Sequence, residues 1–479
     1  MTDEASELAP FPHEVIIDPA TVQALVAESA IVLVVLDDDP TGTQSVSGLP
    51  VLTTWTAPDL EWALAQNCPA VYVLTNTRSL GPETAALRNR EIVTNALAAS
   101  ASTGVPVNFV SRSDSTLRGH YPLETDVIAQ TIADHGGRAV DGVVIVPAFP
   151  EAGRVTIGGI HYMRGEHGLT PVAETEYARD ASFGYASSRL SDWVSEKSDG
   201  HYAASDVIVL DLGIIRSGTD AIVAALAAAS GQTPVVADIV TENDLRALSL
   251  GLIAAEAAGK HFLYRVGPPF VRARVGQSVS EPLTASDVFG PEGSDAVGGL
   301  IVVGSHVGVT TRQLDALRRV RPAVRSLELD IALILDPAAA DAHVAEIAET
   351  AALALADGDV VVHTSRLLRT AGDAASSLDI SRRVSAAVVR VVQLVLAARP
   401  PRFVIAKGGI TSSDVATHGL GIGRAIVRGP MLPGIVSLWE PIDGPARGIP
   451  YVVFAGNVGT DDSLAAVVAT LSQPELVLG

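Results

Sequence analysis

The chain has 479 residues, a length that predicts two to four domains at roughly 100–200 residues each. Hydrophobic residues make up 48%, enough to bury a real core, so disorder is excluded as its main character. With 33 basic against 54 acidic residues, the formal charge of −21 argues against binding a nucleic-acid backbone or an anionic membrane surface. Cys68 is the single cysteine and cannot form an internal disulfide, which points to a reducing, cytoplasmic location. No apolar stretch approaches the roughly 20 residues of a spanning helix, and residues 1–12 lack the basic and apolar regions of a signal peptide.

Along the chain, short apolar runs at 31–36, 71–74, 105–110 and 142–146 do not alternate, so they read as buried parallel strands. Amphipathic stretches at 83–100 and 123–133 read as the helices between them. A long irregular stretch, 148–200, follows. Strands are then expected at 207–210 and 235–239, with helices at 219–229 and 242–259. Residues 276–298 have the Ser, Pro, Gly and acidic composition of an exposed connection. A second alternating series follows, with strands at 300–304, 324–329, 360–363, 402–406, 425–428 and 451–455. Its helices are expected to end near Arg318 and to span 337–357 and 380–398. The fold expected is α/β: two doubly wound, mostly parallel-sheet domains, 1–285 and 297–479, with the active site in the cleft between them.

The first strand runs into Asp37-Asp38-Asp39-Pro40-Thr41-Gly42, the second into Asn76-Thr77-Arg78, and the third into Ser113-Asp114-Ser115-Thr116-Leu117-Arg118-Gly119. Three carboxylates at a strand's end repel one another unless a cation, a hydroxyl or an arginine meets them. Arginine's planar fork suits a carboxylate, and hydroxyls beside Asp suit a polyhydroxylated ligand. Solvated turns would explain each loop singly, but not three on one edge. In the second half, Gly304-Ser305 and Lys407-Gly408-Gly409-Ile410-Thr411 each follow a strand and precede a helix. Glycines there admit a phosphate close to the backbone, while Lys407 can supply a point charge and Thr411 a hydroxyl. The turns 429–434 and 456–462 add two further glycine loops, and together the four favour nucleotide binding. Only three lysines occur, Lys197, Lys260 and Lys407, so one kept in a glycine turn invites a chemical reason.

The runs Asp38-Asp39-Pro40-Thr41-Gly42 and Ser113-Asp114-Ser115-Thr116-Leu117-Arg118-Gly119, with the Gly408-Gly409, Pro433-Gly434 and Gly456-Asn457 loops, resemble the four-carbon acid sugar kinase family over nearly the whole chain. The resemblance implies an ATP-dependent kinase, with magnesium carried on the nucleotide, that phosphorylates the terminal hydroxyl of threonate, erythronate or a 3-oxo-tetronate. It also implies that the N-terminal domain holds the acid and the C-terminal domain holds ATP. The expected catalytic residues are Asp39 and Asp114, Asp39 being favoured as base, and Asp38, Arg78, Ser115 and Arg118 would bind the acid. Ser305, Lys407, Gly408, Gly409, Ile410, Thr411 and Gly456 would hold ATP. Ile410 departs from the glutamate of many members, so the metal ligands are left unassigned. Partners are expected to be the acid and ATP, with neither nucleic acid nor membrane, and the chain is compatible with a homodimer. The alternatives are a sugar-acid aldolase or lyase and a non-catalytic sugar-acid sensor.

Overall fold

The computed structural model describes residues 2–165, 168–290, 296–365 and 374–472, with the backbone alone for 374–379. The chain divides into two compact units, Met1–Gly42 with Thr54–Val279, and Thr43–Thr53 with Ser280–Gly479. In chain order the strands begin with β1 (Val32–Asp37), then β2 (Leu49–Leu52) of the second unit, β3 (Ala70–Leu74), β4 (Val107–Arg112) and β5 (Gly142–Val146). There follow β6 (Arg154–Ile157), β7 (Ile160–Gly165), β8 (Gly168–Pro171), β9 (Ile208–Leu210), β10 (Thr233–Ala237) and β11 (Phe262–Val266).

The first unit's main sheet is wholly parallel, in the order β3-β1-β4-β11-β5-β10-β9. Strands β1, β3 and β5 are buried along their full length, as apolar runs without alternation require when both faces are covered. Leaving β1, the chain turns to β3 on one side and then crosses to β4 on the other. The loops after β1 and β4 therefore diverge at a topological switch point, the usual ligand edge of an open α/β sheet.

Two expectations are corrected here. Phe262–Val266 forms β11, which inserts between β4 and β5 although no strand is expected there. Its apolar run is broken by Arg265, which hides the strand that carries it. The stretch 148–200 is not irregular throughout: β6, β7 and β8 form a small antiparallel sheet. Val155, Ile157, Tyr162 and Leu169 of that sheet pack with Leu212 and Val240 in a core of their own.

The second unit continues with β12 (Leu300–Val303), β13 (Arg325–Leu329), β14 (Val360–Thr364), β15 (Val404–Lys407), β16 (Arg424–Leu432), β17 (Ile435–Pro441) and β18 (Tyr451–Phe454). Its order is β13-β14-β12-β15-β18-β17-β16-β2, parallel from β13 to β18 and antiparallel beyond. Its switch point lies between β12 and β15. Phe403, Ile405, Leu314, Val452 and Phe454 belong to its buried core. The 429–434 loop differs from expectation: Pro433 and Gly434 turn the β16–β17 hairpin, and Gly429 marks a register break in it. Residues 43–53 are tied in by buried bonds, Thr43 Oγ1 to Ser437 Oγ at 3.0 Å and Trp439 Nε1 to Thr43 Oγ1 at 2.8 Å. The expected connection 276–298 contains a short helix, Ala285–Phe289, and its residues 291–295 lie outside the described ones. Among the described residues, no helix is long and apolar enough to cross a membrane.

Candidate active site

At the switch point of the first unit, Asp37 on β1 and Arg112 on β4 are register partners, and their side chains form a buried ion pair. Arg112 also lies 3.4 Å from Asp38 and donates to the Asp39 carbonyl. Gly42 is required beside this pair, because a Cβ there would overlap the Asp37 carboxylate and Arg112 Nε. Arg78 grips Asp38 with its fork, Nη2 to Oδ1 at 2.6 Å and Nε to Oδ2 at 3.1 Å, and reaches toward Asp39 at 3.6 Å. Behind them Glu124, on the helix Leu123–Asp134, pairs with Arg265 of β11 and accepts the Thr77 hydroxyl at 2.5 Å. Arg265 Nη1 also donates to Ser111 Oγ at 2.7 Å. Buried charges of this kind persist because each has a partner and a hydrogen bond.

Exposure sorts the cluster into two layers. Asp37, Asp38 and Arg112 are 2% exposed at the side chain, whereas Asp39, Arg78, Asp114 and Arg118 are 20%, 19%, 12% and 24% exposed. The second group is the more open one, and Asp38 lies in the buried layer, gripped by Arg78. Ser115 is buried, and its carbonyl is engaged from behind the loop. Arg118 Nε donates to Asp114 at 2.7 Å, with Asp180 3.6 Å from its Nη1 and the Tyr177 ring 5.0 Å from its guanidinium carbon. A cavity of about 630 Å³ opens beside this layer, lined by Arg78, Gly119, His120, Phe183 and Lys197 among others.

Electrostatics separates the same layers. Burial, which outweighs Arg112, pushes the Asp37 carboxyl up to about 7, and burial also raises Asp38. For Asp39, burial acts upward, but Arg78, Arg112 and two bonds from Thr41 hold the group below the usual carboxylate range. Burial also opposes ionisation of Asp114, yet Arg78 and Arg118 hold it well below that range. The two predicted catalytic carboxylates are thus anions at neutral pH, suited to accept a hydroxyl's hydrogen bond rather than to act as strong bases.

The second unit's edge uses other chemistry. After β12, Gly304 lies against Thr411, whose hydroxyl a Cβ at Gly304 would overlap. After β18, a Cβ at Gly456 would strike Ser305 Oγ, and Gly408, after β15, lies against both Thr411 and Ser305. Ser305, Gly408, Thr411 and Gly456 are therefore one constellation, a cradle in which backbone and hydroxyls stand where side chains would otherwise fill space. Thr310 Oγ1 donates to Gly456 O at 2.7 Å, and Gln313 Nε2 donates to Val458 O and Thr460 O at 3.0 and 2.7 Å. Gly409 opens the short helix Gly409–Asp414 and Ile410 is 57% exposed beside it.

Lys407 differs from its expectation. It is fully buried, its Nζ donates to Ala455 O at 2.7 Å and sits 3.7 Å from the Phe454 ring centre, and burial lowers its pKa to about 7. It braces the 455–458 backbone from beneath instead of standing at the surface. Among the described residues, no three His, Cys, Asp or Glu side chains gather as metal ligands. Arg112, Glu124 and Arg265 carry no role among the residues expected from sequence. The charge of Arg112 at a strand's end was a usable signal; Glu124, inside a helix, offered none.

Residues 33–274 match the family model of a sugar-binding N-terminal domain, and residues 300–464 that of a nucleotide-binding C-terminal domain. The chain is similar to a D-erythronate kinase of Heliobacterium modesticaldum, 27% identical over 64% of this chain and 64% of that one. It is 30% identical to a D-threonate kinase of Cupriavidus necator, over 82% of this chain and 84% of that one. A Salmonella typhimurium LT2 crystal structure, described as a tRNA synthase, covers 91% of this chain and 98% of its own at 19% identity with a TM-score of 0.64, a likeness of fold alone. With its two α/β units, its charged N-terminal edge and its glycine cradle, the chain belongs to the four-carbon acid sugar kinase family.

Proposed function

We propose that the protein is an ATP-dependent kinase that phosphorylates the terminal hydroxyl of a four-carbon sugar acid of the threonate or erythronate type, working in the cytoplasm. The observation that carries this reading is the division of chemistry: ionised carboxylates and arginines at one sheet's switch point, a hydroxyl-lined glycine cradle at the other's. The acid's carboxylate pairs with Arg118 and Arg78, the arginines of the outer layer. Asp39 and Asp114 accept hydrogen bonds from the chain hydroxyls, and Asp39 orients the terminal one for in-line attack on the γ-phosphate. Phosphoryl transfer depends on positioning and charge compensation more than on a strong base, so two carboxylates held as anions suffice.

Ser305, Gly408, Gly409, Thr411 and Gly456 hold the triphosphate through backbone N–H groups and hydroxyls, with Ile410 at its margin and Lys407 supporting the loop from below. Magnesium would arrive carried on the nucleotide, where it would compensate the charge of the triphosphate. The test is ADP release with ATP and magnesium against D- and L-threonate, D- and L-erythronate and 3-oxo-tetronates. Turnover of one acid with phosphate on its terminal oxygen is the expected result. Tight ATP binding without turnover of any of them would reject the acid, and no ATP binding would reject the kinase.

A further inference from the structure

The loop 113–119, which carries Asp114 and Arg118, does not hold its shape unaided. Leu117 has φ of 68°, a left-handed conformation that is costly for a residue with a side chain. Asp114 takes the Thr116 hydroxyl and the Arg118 Nε within the loop, whereas the Ser115 and Thr116 carbonyls find their partners outside it. Each is met by a buried side chain from the small antiparallel sheet or the segment after it. His161 Nε2 lies 2.8 Å from Ser115 O, and Tyr185 OH donates to Thr116 O at 2.8 Å.

The histidine's tautomer follows from its partners. A carbonyl can only accept, so Nε2 bears the proton, and Nδ1 accepts from Thr156 Oγ1 at 2.9 Å. The turn before His161 is anchored in its own right, since the Asp238 carboxylate takes the N–H groups of Gly158 and Gly159 at 2.7 and 2.8 Å. Asp238, just after β10, thus anchors the β6–β7 turn, and His161, two residues beyond that turn's Gly159, in turn meets the loop that presents Asp114 and Arg118.

We infer that His161 and Tyr185 are positioning residues for phosphoryl transfer: the β6–β8 sheet and the segment after it form a template that fixes the 113–119 backbone, and through it the acid. The inference rests on the kinase reading above. A side chain that served only overall stability would affect both substrates alike, whereas a template for this loop affects the acid alone. The experiment compares Tyr185→Phe, His161→Gln and His161→Leu with the unmutated protein, varying acid and ATP separately and following hydrogen exchange in 113–119. Tyr185→Phe should lower kcat/KM for the acid about ten- to a hundredfold, the cost of one unmet buried carbonyl, with KM for ATP unchanged and exchange in 113–119 raised. His161→Gln, which keeps a donor near Nε2, should recover activity that His161→Leu loses. If the unmutated protein turns over an acid and Tyr185→Phe equals it in kcat/KM for that acid, the assignment is overturned and the kinase stands. If ATP and acid parameters fall together in all three variants, the role is structural and the assignment is again overturned. If the unmutated protein binds no ATP, the kinase reading fails and the assignment falls with it.

Discussion

At the edge of the first sheet, four arginines (Arg78, Arg112, Arg118 and Arg265) and five carboxylates (Asp37, Asp38, Asp39, Asp114 and Glu124) interlock, most of them removed from water. At the edge of the second, the constellation of Ser305, Gly408, Thr411 and Gly456 carries no charged side chain, and the one nearby lysine is turned inward. The two edges occupy equivalent places in related topologies, and the proposed function traces their difference to ligand and not to fold. A small hydroxylated acid must be distinguished from its stereoisomers by fixed donors and acceptors. A triphosphate can be held by backbone groups that any glycine-rich turn offers. The first edge therefore depends on pairing and the second on the absence of side chains.

The most severe way to break that contrast is Arg112→Met, which leaves Asp37 in the interior without its arginine while Asp38 keeps Arg78. Removing one partner of a buried charge cluster costs about 3–5 kcal/mol, to be read from the denaturant midpoint. Thr310→Val at the other edge, which loses one hydrogen bond, should cost about 1 kcal/mol. Equal losses would show that the first edge is not held by charge pairing.

Next in size is a pH effect beneath the charged edge. Burial lowers the His161 pKa from 6.5 to about 4, with Arg154 opposing the cation as well and Asp114 favouring it. Between those values the unfolded chain takes up a proton that the folded one refuses, so stability falls as pH drops from 6.5 to 4 and levels off below. The full loss is about 3 kcal/mol, and His161→Gln should remove it from the pH–stability profile.

Gly456→Ala sharpens the comparison from the other side. The added methyl collides with Ser305 Oγ, a strain of about 1–3 kcal/mol, so ATP should bind roughly ten- to a hundredfold more weakly in calorimetry while acid binding is unchanged. The smallest effect belongs to Arg312→Ala. Its ion pair with Asp461 at 2.8 Å joins side chains 56% and 55% exposed, and thermal unfolding should shift by no more than about 0.5 kcal/mol.

The parallel strands were legible because β1, β3, β5 and β12 are uninterrupted apolar runs, and burial on both faces leaves that mark directly in sequence. β11 was not, since Arg265 divides it, and the small sheet was hidden by Gly158, Gly159, Gly165 and Gly168 within the 154–171 segment. For the site, residue types at strand ends were readable, but the direction of each side chain was not. Asp38 and Asp39 are adjacent and chemically alike, yet one is buried and the other half-open because Arg78, from the turn after β3, and Arg112, from β4, both close on Asp38. Lys407 shows the same limit. Its presence in a glycine turn was visible, whereas its inward rotamer is fixed by Phe454 and Ala455, which lie about fifty residues away.

The excursion of Thr43–Thr53 into the second unit has a consequence for any attempt to dissect the protein. The chain changes unit at 42/43, at 53/54 and at 279/280, so the second unit is not a continuous gene segment. A fragment beginning at Ser280 would lack β2 and leave one side of the β16 backbone, from Arg424 to Val427, unpaired while β17 covers the other. It would also lose the Thr43 hydroxyl that Trp439 and Ser437 engage in the interior. Such a bare edge is a template for intermolecular pairing, and the fragment should aggregate. Supplying residues 43–53 as a separate peptide, or grafting them onto the fragment by circular permutation, is the route to an isolated soluble half.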